Sequence, residues 1–90
     1  MDTIYEKAGK RLKELRSQQG WTQQQLAEKA SISVAFLSFI EQGRRKGSLQ
    51  TYANLSKALG LELSELPQAF PGLSVAESQT MLRLVKKMKR

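Results

Sequence analysis

Apolar residues recur along this chain at steps of three and four, the repeat of an amphipathic helix. Strand patterning is almost absent. Tyr5, Ala8, Leu12 and Leu15 form the first stripe, and Gly20 follows as a C-terminal cap. In "WTQQQL", Thr22 caps a second helix and Gln25 completes a capping box, with Trp21 and Leu26 at hydrophobic-staple spacing. This predicts a helix over about Thr22 to Ala30. Ser33 caps a third helix that Gly43 stops, with Ile32 and Leu37 repeating the staple spacing. Ser48 caps a fourth, carrying Leu49, Tyr52, Leu55 and Leu59 inward, and Gly60 closes it. "LELSEL" predicts a short fifth helix ended by Pro67, and "FPGL" a hinge. Ser74 and Glu77 form a further capping box that opens a last helix, running to about Lys89. The expected fold is all-α, with one small domain over residues 1–66 and a hinge plus amphipathic helix over residues 67–90. The chain carries no internal repeat and no low-complexity linker.

Helices two and three are joined by "ASIS", short enough for a helix-turn-helix. At 100° per residue, Leu37 and Ile40 of helix three point into the bundle, while Ala35, Ser38, Phe39 and Gln42 point away. That outward face is small, aromatic or amide-bearing and holds no carboxylate. Arg44, Arg45 and Lys46 follow it directly. Such a helix suits the DNA major groove, where side chains meet base edges and thymine methyls. Glu41 falls toward the inward side, and a partly buried carboxylate needs a partner. Arg11, flanking the stripe of helix one, could supply it; the alternative is two solvated surface charges.

Charge sharpens this picture. The 90 residues hold 15 Lys+Arg against 8 Asp+Glu, a net charge of +7 with a pI near 10.1. In so small a domain this points first to a polyanion such as nucleic acid; the alternatives are a protein that is merely basic and soluble, then an anionic membrane or acidic protein as partner. Much of the surplus lies in Arg44–Lys46 and in Arg83, Lys86, Lys87, Lys89 and Arg90. There is no cysteine and no histidine, which excludes disulfides, thiolate metal sites and the commonest general base. With no convergent acid pair either, no general acid/base set is present, and neither enzyme activity, cofactor nor metal is expected. No apolar run approaches the roughly 18 residues of a membrane span, and "MDTIYEKAGK" does not read as a signal peptide. The expected location is the cytoplasm, on the nucleoid when bound to DNA.

The segment "GKRLKELRSQQGWTQQQLAEKASISVAFLSFIEQGRRKGSLQTYANLSKALGLELSEL" resembles the Cro/C1-type (XRE) helix-turn-helix family of bacterial and phage regulators. The Arg of "GKRL", "TQQQLA", "LSFIEQG" and "ALGLELSEL" arrive in order at family spacing. The resemblance implies a compact five-helix, lambda repressor-like domain whose third helix reads the major groove of double-stranded DNA, and it implies an Arg11–Glu41 bridge. It places Ser33, Val34, Ala35, Ser38 and Phe39 at bases or nearby backbone, and Gln23, Gln42, Arg44, Arg45 and Lys46 at phosphates. Three positions depart from the pattern. Phe39 and Val34 stand where polar side chains are common, so apolar contact with thymine methyls, water and DNA shape must carry more of the specificity. Alternatively, Phe39 packs against another protein. Gly47 replaces a common proline, which is expected to loosen the turn.

The last helix groups Val75, Leu82 and Val85 near one face, with Met81, Leu84 and Met88 alongside. Val75, Met81, Leu82, Val85 and Met88 are the candidate seam of a homodimer on a pseudo-palindromic site, as family members usually form. Packing on its own domain, docking of a partner such as a toxin, and membrane-surface binding are the other readings of this stripe. The leading functional expectation is a sequence-specific transcriptional regulator, a repressor binding as a homodimer. The second is an antitoxin that binds a toxin and represses its own operon.

Overall fold

A computed structural model describes residues 4–61 and 74–88, with backbone alone for residues 4, 75 and 88. The predicted fifth helix, the hinge and the 66/67 domain boundary lie outside the described residues. Those residues form five helices, α1 (Ile4–Gln18), α2 (Gln23–Lys29), α3 (Val34–Glu41), α4 (Leu49–Leu59) and α5 (Val75–Met88). No strand occurs among them.

The starts of α2 to α5 are set locally. Thr22 Oγ accepts the Gln25 N–H while Gln25 Oε1 accepts the Thr22 N–H, closing the capping box of α2. Ser33 and Ser48 cap α3 and α4 by accepting the Phe36 and Thr51 N–H groups. Ser74 and Glu77 close a second capping box at α5. Hydrogen bonding from the Ser74 backbone N–H and hydroxyl holds the Glu77 carboxyl below its ordinary pKa.

The stops are equally regular. After α1, α2, α3 and α4 the chain turns back through one left-handed residue, and two N–H groups return to carbonyls of the last turn, the Schellman arrangement. Glycine fills that position at Gly20, Gly43 and Gly60. After α2 it is Ser31, at φ +58°. The α2–α3 turn is further tied to α4 by Asn54, whose Nδ2 donates to the Ala30 carbonyl at 3.2 Å.

The core is continuous. Leu12, Leu26, Leu37, Ile40, Leu55 and Met81 are essentially fully buried, one or more from every helix. Burying each such side chain stabilises the fold by roughly 1.5–3 kcal/mol. α1 crosses α3 at Gly9, where a Cβ would run into the carbonyl oxygens of Ile40 and Glu41. α5 packs chiefly on α4, with Met81 and Val85 in the shared core. This corrects the expected seam: Met81 and Val85 face their own domain. Leu82 is half-buried against the same core, and the side chains of Val75 and Met88 lie outside the description. Tyr5 also departs from its stripe. It is 42 % exposed, because it sits at the first turn of α1, beyond the reach of the core.

Candidate nucleic-acid interface

Eight residues make up α3, so it has little more than two turns to divide between core and surface. Leu37 and Ile40 anchor it inward. Val34, Ala35 and Phe39 remain exposed and Ser38 half-exposed, while Phe36 packs at the edge of the core. The hydroxyls of this face are used locally: Ser33 Oγ accepts from Phe36 N at 3.0 Å, and Ser38 Oγ accepts from Gln42 Nε2 at 2.8 Å. Each hydroxyl keeps its own O–H to donate. The exposed surface of α3 is therefore apolar, with a few donors at its margin.

The basic loop is fixed to this helix by backbone geometry. The Gly43 N–H returns to Ile40 O and the Arg44 N–H to Phe39 O, at 3.0 and 2.9 Å. Gly43 takes φ +74° and packs against Glu6, so the turn is both left-handed and closed to a side chain. The turn brings the Arg45 guanidinium over the Phe39 ring, 5.5 Å from its centroid. Lys46 lies over Tyr5 at 5.7 Å. Arg44, Arg45 and Lys46 are all exposed. At the far end of the loop the buried Gly47 N–H donates to Tyr52 Oη at 3.2 Å. Gly47 supplies an N–H that proline lacks, and this bond ties the turn to α4. Burial holds the Tyr52 phenol above its ordinary pKa, an effect only partly offset by the Gly47 N–H and by Lys46.

Glu41 is buried at the end of α3, and its partner is Arg16. Arg16 Nε donates to Glu41 Oε2 at 2.8 Å and Arg16 Nη2 to Oε1 at 3.2 Å, a bidentate pair. Arg16 Nη1 donates to the Trp21 carbonyl at 2.7 Å, and Gln23 Nε2 to Glu41 Oε1 at 3.0 Å. The Arg11–Glu41 bridge is corrected: Arg11 instead pairs with Glu14 at 3.1 Å on the surface of α1. Helical phase decides between the two arginines. Arg16 lies four residues beyond Leu12 and seven beyond Gly9, on the stripe that meets α3, whereas Arg11 is rotated about 100° away from Leu12. That spacing picks Arg16 once α1 is seen to cross α3 at Gly9. Gln23, expected at a phosphate, stands at the first position of α2 with its amide turned to Glu41.

The network joins the end of α1, the start of α2 and the end of α3, and it neutralises the carboxylate nearest the exposed helix. Residues 31–40 hold no acid at all. A surface of apolar groups, hydroxyls and three adjacent cations results. Sequence reasoning missed Arg16 and Asn54 and read Tyr5 and Tyr52 only as members of apolar stripes; these four position this surface without belonging to it.

The helix-turn-helix family model matches residues 12–66, more than half of the chain. The chain belongs to this family, in its Cro/C1-type branch. It is 41 % identical over 58 residues to the immunity repressor protein of Bacillus phage phi105, aligning 64 % of this chain with 40 % of that one. It is 42 % identical over 57 residues to the HTH-type transcriptional regulator PuuR of Escherichia coli, 63 % of this chain against 31 % of that one. The chain thus spans less than half the length of these curated relatives. Among solved structures it is similar to the restriction-modification controller protein C.AhdI of Aeromonas hydrophila. The TM-score is 0.66 at 35 % identity, over 69 % of this chain and 94 % of that one. It is also similar to the clp gene regulator ClgR of Corynebacterium glutamicum, with TM-score 0.68 at 26 % identity, over 89 % and 92 % of the two chains.

Proposed function

We propose that this chain is a sequence-specific DNA-binding transcriptional regulator of the repressor kind, acting without catalysis. The observation that carries this reading is the continuity of the exposed α3 face with Arg44–Lys46, beside a Glu41 whose charge is turned inward and paired. In this reading α3 enters the major groove. Ser33, Val34, Ala35, Ser38 and Phe39 face bases, and Gln42, Arg44, Arg45 and Lys46 face phosphates, while Gln23 keeps its amide on Glu41. The names of the relatives, an immunity repressor and transcriptional regulators, support it.

One copy presents one reading helix. Two copies on a pseudo-palindromic operator would set their α3 helices about 34 Å apart, one turn of DNA. With Met81 and Val85 internal, any contact between the two copies through α5 would use its outward residues instead.

Selection of bound sites from random duplex DNA tests the reading. A two-fold consensus whose affinity falls steeply with salt is expected. Recovery of no consensus, with binding insensitive to salt, would overturn it.

A further inference from the structure

Between Phe39 and Arg45 lies an open cleft of about 240 Å³, lined by Ser33, Ala35, Phe36, Phe39 and Arg45. Its apolar walls are two aromatic rings and a methyl group. Phe39 is 37 % exposed, and the Arg45 guanidinium lies over its ring. The one hydroxyl in the lining has its oxygen on the Phe36 N–H. The cleft therefore has a cation at its rim, an apolar wall, and no acceptor directed into it. Charge selects a polyanion, and the apolar wall selects which part of that polyanion enters.

In the major groove one apolar group is offered by the bases, the C5-methyl of a pyrimidine. Thymine and 5-methylcytosine both carry it. They differ at the 4-position, where thymine presents an acceptor and cytosine a donor. Phe39 has no group with which to tell those apart.

We propose that the Phe39–Arg45 cleft reads a pyrimidine C5-methyl group as such, so that the protein gains the same affinity from 5-methylcytosine as from thymine at that step. The inference rests on the DNA-binding reading above. It adds a chemical signal to it: an operator modified by a cytosine C5-methyltransferase is bound more tightly than the same sequence unmodified. Arg45, lying over the ring, contributes its N–H groups to the phosphate beside the methylated base. The gain from one methyl group corresponds to about fourfold in affinity per half-site.

The test uses the full chain and the duplex recovered by selection. At each thymine position in turn, two comparisons are made, each differing by one methyl group: uracil·adenine against thymine·adenine, and cytosine·guanine against 5-methylcytosine·guanine. The expected result is one position per half-site where both methyl groups gain about fourfold, with that gain abolished in Phe39→Ala and largely kept in Phe39→Leu. Tight binding with no methyl effect at any position, or a methyl effect that survives Phe39→Ala, overturns the inference and leaves the DNA-binding reading intact. A gain for thymine alone overturns it too, because a neighbouring group would then be reading the 4-position. Failure to select any duplex removes both. Far-ultraviolet circular dichroism of the two variants confirms that the surface substitutions leave the helices unchanged.

Discussion

Arg16 and Glu41, twenty-five residues apart, meet through two parallel hydrogen bonds at 2.8 and 3.2 Å, with only 12 % and 3 % of their side chains exposed. The pair joins the last turn of α1 to the end of α3, and through Gln23 and the Trp21 carbonyl it also fixes the start of α2. It sets where the exposed helix stands relative to the elements flanking it. Replacing Arg16 with Ala strands a buried carboxylate, at a cost of about 3–5 kcal/mol. Arg11→Ala removes an exposed pair and changes stability by less than about 1 kcal/mol. Urea unfolding of the two variants should separate them clearly. Equal losses would show that Glu41 is not held by Arg16.

Gly9 is where α1 and α3 approach most closely. Gly9→Ala places a methyl group against the Ile40 and Glu41 carbonyls, and backbone cannot yield as a side-chain tip can. The helices must part, costing about 1–3 kcal/mol despite alanine's better helix propensity. Thermal unfolding should show a clear fall in Tm; a rise would mean that the crossing is looser than described.

Ser31 holds a left-handed backbone that disfavours any side chain, by about 1–2 kcal/mol. Ser31→Gly relieves that strain, while glycine's freer unfolded chain takes back part of the gain. A net stabilisation of about 0.5–1 kcal/mol is expected in chemical denaturation. A loss of stability would indicate that the Ser31 side chain contributes more than its backbone costs.

Tyr52 ties the basic loop to α4 through its bond to the Gly47 N–H. Tyr52→Phe leaves a buried N–H without that acceptor, costing about 1–3 kcal/mol. The phenol also makes stability depend on pH. Its pKa is raised in the folded protein, so the unfolded chain ionises first. The contribution is whole below pH 10 and declines as pH rises from there through the folded pKa. Wild type should therefore lose stability above pH 10 more steeply than Tyr52→Phe. Parallel curves would show that the phenol is free to ionise in the fold.

Arg44, Arg45 and Lys46 are exposed at one turn, as phosphate contacts require. Each Ala substitution should weaken binding to all duplexes alike and reduce the slope of log affinity against log salt by about 0.9. A triple variant with unchanged slope would move the phosphate contacts elsewhere.

Much of the fold was legible because helix limits are local. Thr22 with Gln25, Ser33, Ser48, and Ser74 with Glu77 each act over three residues, and Gly20, Gly43 and Gly60 supply backbone angles that other residues avoid. The division of α3 into a buried and an exposed face likewise follows from helical period and side-chain type. Which surfaces meet is a different kind of fact. A stripe containing Met81 and Val85 dictates that both be buried, and α4 of the same chain satisfies that as well as a second copy would; only the packed structure shows that α4 covers them. Several arginines precede Glu41, and the crossing of α1 on α3 at Gly9 selects Arg16. Phe39 was visible as an exposed aromatic. That Arg45 lies over it depends on the backbone returning to the Phe39 carbonyl, a relation between chain directions that residue types alone do not encode.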